Sequence, residues 1–235
     1  MKAIVITSNH SRHREFVDTV ERYTEISHAF VVQKPEGNKS FEASQKEFFG
    51  CKSRGKVKAK VVNCTTTQLK STRVKDLISG ISPDICLVFG APLLSKDIYS
   101  IPKHGCVNIH TGLVQYYRGV DSPYWAIYEN NLSAIGATLH YIDSTIDGGG
   151  VIGQRKTENL SLNDTADDIF MKTCITGFDI LKENMYNILN NSVDILSNIG
   201  KGKLFQTKDM TFEKRLEIDF KTEKYLKEYL NGNNC

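Results

Sequence analysis

Short apolar runs alternate with longer amphipathic stretches along most of this chain. Ala3-Ile4-Val5-Ile6-Thr7 opens it as a β-branched run without polar interruption, the pattern of a strand covered on both faces. Polar Ser8-Asn9-His10-Ser11 follows, and Phe16, Val17, Val20 and Tyr23 then recur at helical spacing. Ile26 to Val32 reads as the next strand, closed by Pro35-Glu36-Gly37. Strand, polar turn, helix, strand is the βαβ arrangement of a doubly wound sheet. Val61-Val62 begins a further strand, and Arg73 to Ile81 reads as a helix ended by Gly80 and Pro83. Asp84 to Gly90 is the most hydrophobic run in the chain, a central strand opening onto Ala91-Pro92-Leu93-Leu94.

Two later strands carry the polar groups that matter. Cys106-Val107-Asn108-Ile109-His110 is a short buried strand, opened by Gly105 and stopped by Thr111-Gly112. Side chains alternate along a strand, so Asn108 and His110 project from one face. Ala137 to Asp143 reads as a second strand, running into Ser144-Thr145-Ile146-Asp147-Gly148-Gly149-Gly150. That glycine-rich loop has the turn chemistry to carry the Asp147 carboxylate back towards the end of the first strand. In open α/β sheets ligands sit at the carboxyl ends of strands. The ends of the Asp84, Cys106 and Ala137 strands are therefore expected to share one crevice.

The rest of the chain supplies support. Val151 to Gln154 reads as an edge strand. A long helix capped at Asn163-Asp164 follows, its apolar stripe formed by Ile169, Phe170, Cys174, Phe178, Leu181 and Met185. Beyond Gly200 the chain turns strongly charged: Leu204-Phe205 and Leu216 to Phe220 read as short strands, and Glu223 to Leu230 as a Lys/Glu-rich helix. The domain division is residues 1–200 as the main domain and 201–235 as a short extension. This tail, too small for a core of its own, packs on the main domain or on a second copy of it.

Asn108, His110 and Asp147 together point to acyl transfer onto an amine. An amide N–H can steady the oxyanion that forms on carbon, and one such donor is worth ~3 kcal/mol. An imidazole with an unperturbed pKa of ~6.5 can take the amine's proton near neutral pH, a step worth ~10²–10⁴-fold. A carboxylate beside it orients the ring and favours its protonated form. An isolated histidine at a strand end is usually a core residue; the amide and the Asp-Gly-Gly loop beside it change that reading. His140 reads either as a substrate contact or as a buried structural hydrogen bond. Tyr124, Trp125 and Ile127 have helical spacing, for which packing is the default.

Composition narrows the field. Of 235 residues, 40% are hydrophobic and 24% charged, and the net charge of +3 is too small to imply nucleic-acid binding. Six cysteines form no Cys-x-x-Cys pair, so a reduced, cytoplasmic setting without a zinc site is expected. No run approaches the ~20 apolar residues that span a bilayer. The turn after the first strand lacks Gly-x-Gly-x-x-Gly, and Gly37-Asn38-Lys39-Ser40 is not a P-loop. Lys52, Arg54, Lys56, Lys58 and Lys60, at every second position, read as a solvated loop in preference to a phosphate-facing segment.

Four pieces in order, Gly105 to His110, Tyr117-Arg118-Gly119, Gly136 to His140 and Ile146-Asp147-Gly148-Gly149, resemble the 10-formyltetrahydrofolate-dependent formyltransferases. The likeness covers roughly residues 80 to 157. It implies a Rossmann-like open, mostly parallel α/β sheet with helices on both faces, extended by a small α+β tail. It also implies Asn108, His110 and Asp147 as the catalytic trio, 10-formyltetrahydrofolate as formyl donor without a metal, and a pterin pocket involving Pro92, Leu94, Ile142, Ser144 and Asp147.

Among formyltransferases, those acting on initiator methionyl-tRNA carry a C-terminal β-barrel that the residues after Gly200 are too few to form. Those acting on glycinamide ribonucleotide have a glycine-bearing loop after the first strand, where this chain has Ser8 to Arg14. The remaining resemblance is to the sugar N-formyltransferases, which act on nucleotide-linked amino deoxysugars for surface polysaccharides such as O-antigen. It implies a homodimer built through the extension and substrate contacts from Arg12, Tyr117, Arg118 and His140, with Arg12, Arg14 and Arg118 at the nucleotide diphosphate. Replacing Arg118 by Ala is then expected to raise KM for the sugar nucleotide. Glycinamide ribonucleotide formylation and 10-formyltetrahydrofolate hydrolysis are the alternative activities, and a non-catalytic folate-binding scaffold is a third.

Overall fold

A computed structural model of the chain describes residues 1–35, 37–50, 57–197 and 199–232. Among the described residues nine strands follow in order: β1 Ala3–Ser8, β2 Ile26–Val32, β3 Lys60–Cys64, β4 Ile85–Phe89, β5 Cys106–His110, β6 Tyr117–Gly119, β7 Gly136–Tyr141, β8 Val151–Lys156 and β9 Lys203–Phe205. The helices are α1 Ser11–Glu21, α2 Lys39–Phe49, α3 Thr66–Leu69, α4 Thr72–Ile81, α5 Lys96–Tyr99, α6 Ser122–Tyr128, α7 Ala166–Leu189 and α8 Phe212–Gly232. Seven strands form one sheet in the order β3-β2-β1-β4-β5-β7-β8, while β6 and β9 make a separate two-stranded ribbon. Strands β1 to β5 are mutually parallel, and β7 and β8 join antiparallel.

Alternation along each central strand feeds two cores. Ala3, Val5, Leu87, Val107 and Ile109 face α1, α2 and α7 through Phe16, Phe49 and Phe178. Ile4, Ile6, Cys86, Val88 and Cys106 face α3, α4 and α5 through Leu69, Ile78 and Ile98. Both faces are thus covered by helices, as mostly parallel sheets require. A third cluster, around Trp125 and Ile127 of α6, receives Ile218 and Leu226 from α8.

Several local expectations are corrected. Leu216 to Phe220 is not a strand but part of α8, because Ile218, Thr222 and Leu226 recur every four residues and are the buried ones. A five-residue alternation is compatible with either period, and the longer frame decides. The cap of α7 is Thr165, not Asn163-Asp164: its hydroxyl accepts from Asp168 N–H and Asp168 reaches back to the Thr165 N–H, a capping box. Asn38, in the segment dismissed as a P-loop, caps α2 by accepting from Phe41 N–H at 2.8 Å, a helix that the sequence pattern did not reveal. Left-handed Ser82, not Gly80, closes α4, and Tyr23 lies beyond α1. Lys52, Arg54 and Lys56 lie outside the described residues; Lys60 opens β3.

Candidate active site

Strand β5 ends the parallel part of the sheet, and antiparallel β7 sets Asn108 opposite His140 and His110 opposite Thr138. The carboxyl end of β7 therefore lies beside the start of β5, not with the ends of β4 and β5 as expected. The loop after β7 must run back to bring its carboxylate home. It does so through Asp147, a non-glycine residue held in the left-handed region at φ 47°.

Four polar side chains meet there. His110 Nδ1 lies 3.3 Å from Asp147 Oδ2, and His140 Nε2 lies 3.4 Å from Asp147 Oδ1. The Asn108 amide is 3.1 Å from His140 Nε2. Backbone groups fix the protons. His140 Nδ1 sits 2.8 Å from the Tyr141 carbonyl, which can only accept, so Nδ1 carries the proton and neutral Nε2 receives an N–H of Asn108. No described hydrogen bond engages the second N–H of Asn108. By the same logic His110 Nε2, 3.0 Å from the Tyr117 carbonyl, is the protonated nitrogen, and Nδ1 faces Asp147 bare. The Ser122 hydroxyl approaches the same Nε2 at 3.2 Å. Asp147 Oδ2 also accepts from Gly119 N–H at 2.7 Å.

Burial pushes His110 below the ordinary histidine value, with Asp147 opposing and His140 reinforcing the shift. For Asp147, burial acts to raise the carboxyl. The positive charge that His110 and His140 carry when protonated, together with the Gly119 amide, outweighs it and holds the group well below the usual carboxylate range.

A cavity of about 300 Å³ opens beside this cluster. Pro92 to Leu94 form one wall, Ile142, Asp143 and Thr145 to Asp147 another, and Gly119, Val120 and Phe205 to Thr207 a third. Asn108 and His140 reach its floor. Of the residues expected around a pterin, Pro92, Leu94, Ile142 and Asp147 border it, whereas Ser144 does not, its neighbours Asp143 and Thr145 taking that place. His110 is 5% exposed and stands behind Asp147, off the cavity wall.

The residues expected at the substrate divide. His140 is buried, hydrogen-bonded and also at the cavity. Tyr117 is buried, its hydroxyl donating to Glu129 Oε2 at 3.1 Å, and it meets the site only through its carbonyl. Arg118 is not on the cavity wall; it donates from Nε to the Gly202 carbonyl at 3.0 Å and from Nη1 to the Ile146 carbonyl at 3.2 Å. Arg12 is tucked over the rings of Phe41 and Phe170 with Nη1 on Gln45. Arg14 borders a second cavity, of about 330 Å³, at the end of β1. Tyr124, Trp125 and Ile127 are core. The contributions that the sequence did not announce are the Tyr117 carbonyl, the Gly119 amide and the Ser122 hydroxyl; two are backbone groups, which no side-chain pattern encodes. Among the described residues, no cluster of His, Cys, Asp and Glu is arranged to hold a metal ion.

The bifunctional polymyxin resistance protein ArnA of Wigglesworthia glossinidia brevipalpis is 30% identical over 153 residues, 65% of this chain and 23% of that protein. The methionyl-tRNA formyltransferase of Clostridioides difficile is 39% identical over 113 residues, 47% of this chain and 35% of the relative. The chain thus matches between about a quarter and two fifths of the length of such curated relatives. The solved 4-N formyltransferase of Francisella tularensis superimposes with a TM-score of 0.64 at 20% identity, covering 93% of this chain and 86% of that one. Phosphoribosylglycinamide formyltransferase of Bacillus halodurans gives 0.61 at 17%, covering 81% and 97%. The family model described as formyl transferase matches residues 1–182, from β1 into α7 and across every side chain of the cluster. The chain belongs to the formyl transferase family.

Proposed function

We propose that this protein transfers the formyl group of 10-formyltetrahydrofolate to the amino group of a nucleotide-linked amino deoxysugar. The observation that carries the reading is the convergence of Asn108 and Asp147 on a mainly apolar cavity, with His110 directly behind Asp147. The cavity's volume falls at the lower end of the roughly 300–1,000 Å³ of ligand sites. Family membership supports the reaction. The sugar acceptor is supported by solved proteins of the same fold. One from Anoxybacillus kamchatkensis was crystallised with UDP-4,6-dideoxy-4-formamido-L-AltNAc and tetrahydrofolate (TM-score 0.57, 19% identity, covering 92% of this chain and 90% of that one).

The reaction follows from the geometry. The acceptor amine attacks the formyl carbon, and the carbon–nitrogen bond to folate breaks as the formamide forms. The free N–H of Asn108 donates to the oxyanion in between. Asp147 meets the amine as its nitrogen becomes positive, and the proton passes through it to the bare Nδ1 of His110. Protonation of the folate leaving nitrogen completes the exchange. His140 holds the Asn108 amide in register. Pro92, Leu94 and Ile142 offer apolar surface to a pterin ring, with Ser144 at the edge of that loop.

The second cavity, bordered by Arg14 with the buried and unpartnered Ser8 Oγ and His13 Nε2, suits the nucleotide end of the acceptor. Arg12, Tyr117 and Arg118 line neither cavity and act through their bonds to Gln45, Glu129, Gly202 and Ile146. Four buried free thiols, Cys64, Cys86, Cys106 and Cys174, fit a reducing cytoplasm. The exposed stripe Phe212, Leu216 and Phe220 on α8 is the proposed homodimer contact.

Purified protein supplied with 10-formyltetrahydrofolate and a panel of UDP- and dTDP-linked amino sugars, glycinamide ribonucleotide and methionyl-tRNA provides the test. Formylation of an amino sugar is the expected result. Formylation of either other acceptor alone, or formate release without any amine, would overturn it.

A further inference from the structure

Strand β6 touches both His110 and Asp147, and its partner β9 lies beyond the residues matched by the family. Each residue of β6 has a separate task. The Tyr117 carbonyl holds His110 Nε2–H, the Gly119 N–H holds Asp147 Oδ2, and the Arg118 guanidinium bridges the Gly202 and Ile146 carbonyls. Ile146 immediately precedes the left-handed Asp147. A non-glycine residue in that region costs roughly 1–2 kcal/mol, so something must hold it there. Two contacts from β6 do so, one to the Ile146 carbonyl before the turn and one to the Asp147 carboxylate itself.

Within its sheet β6 has β9 as its partner, in parallel register Tyr117 to Lys203 and Gly119 to Phe205. Gly202 N–H and Lys203 N–H donate to Val114 and Tyr116 at 2.8 and 2.9 Å, and Val120 N–H donates to Phe205 at 3.1 Å. Phe205 is seated by stacking on Trp125, with centroids 3.9 Å apart and planes 11° apart. Gly119 is obligatory at the crossing: a Cβ there would fall 1.9 Å from the Phe205 carbonyl, at a φ of 89°. The same segment, Phe205 to Thr207, closes the third wall of the cavity.

We infer that β9, with Arg118 as its tie, is a positioning element of the active site: it holds β6 so that His110 keeps its Nε2–H form and Asp147 keeps its carboxylate against Nδ1. This deepens the formyl-transfer reading and rests on it for the meaning of those two residues. Arg118 and Phe205 are positioning residues, since neither reaches the reacting atoms. A three-residue strand is too short to hold itself, which is why the stacked ring and the guanidinium bridge are needed.

Arg118→Lys keeps the charge but cannot span both carbonyls, and Phe205→Ala removes the stacked ring while Phe205→Tyr retains it. In the full-length protein, Arg118→Lys and Phe205→Ala are expected to lower kcat by about 10–100-fold, the scale of an ångström-sized misplacement. KM for 10-formyltetrahydrofolate and for the acceptor should change less than about threefold in Arg118→Lys, whereas Phe205→Ala, which also strips a residue from the cavity wall, should raise KM for the folate as well; Phe205→Tyr should restore kcat. Glu223→Gln on exposed α8 should leave both constants as they are.

Histidine-selective ¹⁵N NMR, with the His110 signals assigned from His110→Asn, supplies a readout independent of turnover. The wild type should show the Nε2–H form of His110, and Arg118→Lys a mixture of forms. Either of two outcomes would overturn the inference: variants within twofold of wild-type kcat with unmoved His110 signals, or a rise confined to KM for the acceptor, which would make Arg118 a ligand contact. Should the wild type formylate no acceptor while the His110 signals still respond to Arg118→Lys, the formyl-transfer reading fails and the positioning role stands. If Phe205→Ala does not fold, Arg118→Lys with Phe205→Tyr decides alone.

Discussion

His110 and Asp147, far apart in the chain, face each other at 3.3 Å between Nδ1 and Oδ2, with the Nε2 of the same imidazole tied to a backbone carbonyl. The order of contacts from the cavity inwards is therefore carboxylate first, imidazole second. In the proposed reaction, a proton leaving the amine would meet Asp147 before it reaches the imidazole. The imidazole is protected from bulk water, and the carboxylate is the group presented to the ligand.

Replacing Asn108 by Leu should remove the oxyanion donor while preserving shape and much of the volume. The expected loss in kcat is about 10²–10³-fold, with KM for the folate donor nearly unchanged. Because His140 Nε2 loses its donor at the same time, Tm should fall modestly. Steady-state kinetics with a formamide-detecting assay and a thermal melt check both parts; a loss confined to KM would contradict the oxyanion role.

Dependence on pH follows from the directions of the two shifts. His110, lowered by burial, stays neutral to a lower pH than a free histidine, so the acidic limb of kcat should lie below ~6.5. Its folded pKa being lower than its unfolded one, it contributes stability that is full above the unfolded value and lost as pH falls through the folded one. Asp147, lowered as well, contributes stability that is full above ~3.9 and disappears on further acidification. Asp147→Asn should abolish the Asp147 part of the acid-induced loss, measurable as a flatter ΔG of unfolding between pH 5 and 2 (urea titrations), and should lower kcat by at least about 10²-fold.

Gly112 lies in the turn after β5, where a Cβ would fall 2.4 Å from His110 Nε2 and 2.6 Å from Ser122 Cβ. Gly112→Ala must push the imidazole off the Tyr117 carbonyl or the start of α6 outward. Both the melting temperature and kcat should fall, whereas Gly80→Ala, with nothing within 4 Å, should leave kcat unaltered. Parallel melts and kinetics of the two variants make the comparison.

On α8, Phe212, Leu216 and Phe220 are spaced one helical turn apart and are 73%, 54% and 81% exposed. Leu216→Asp combined with Phe220→Asp should convert a dimer into a monomer in light scattering, with kcat changing less than about threefold. A wild-type monomer at high micromolar concentration would dispose of the proposed contact.

Much of the fold was legible beforehand because central strands covered on both faces have no freedom but to be apolar. Ala3 to Thr7 and Ile85 to Phe89 stand out for that reason. The strand pattern at Leu216 to Phe220 is deceptive, because a partly buried helix on a charged background exposes two of its apolar residues and blurs its period. The cap of α7 escaped because Asn163, Asp164 and Thr165 are all competent caps, and only Asp168 three residues on selects Thr165.

By itself the sequence determined that an amide and an imidazole share one strand face, since the two-residue period of a strand leaves no alternative. It also determined that a glycine-rich loop was available to deliver a carboxylate. Only the tertiary structure decided that His110 stands behind Asp147 and off the cavity wall, that His140 holds Asn108, and that Arg118 is bonded to Gly202 and Ile146. Those outcomes depend on backbone carbonyls and amides from segments distant in sequence, Tyr117, Gly119 and Gly202 among them. Every residue type carries such groups, so no pattern of side chains can announce where they will meet.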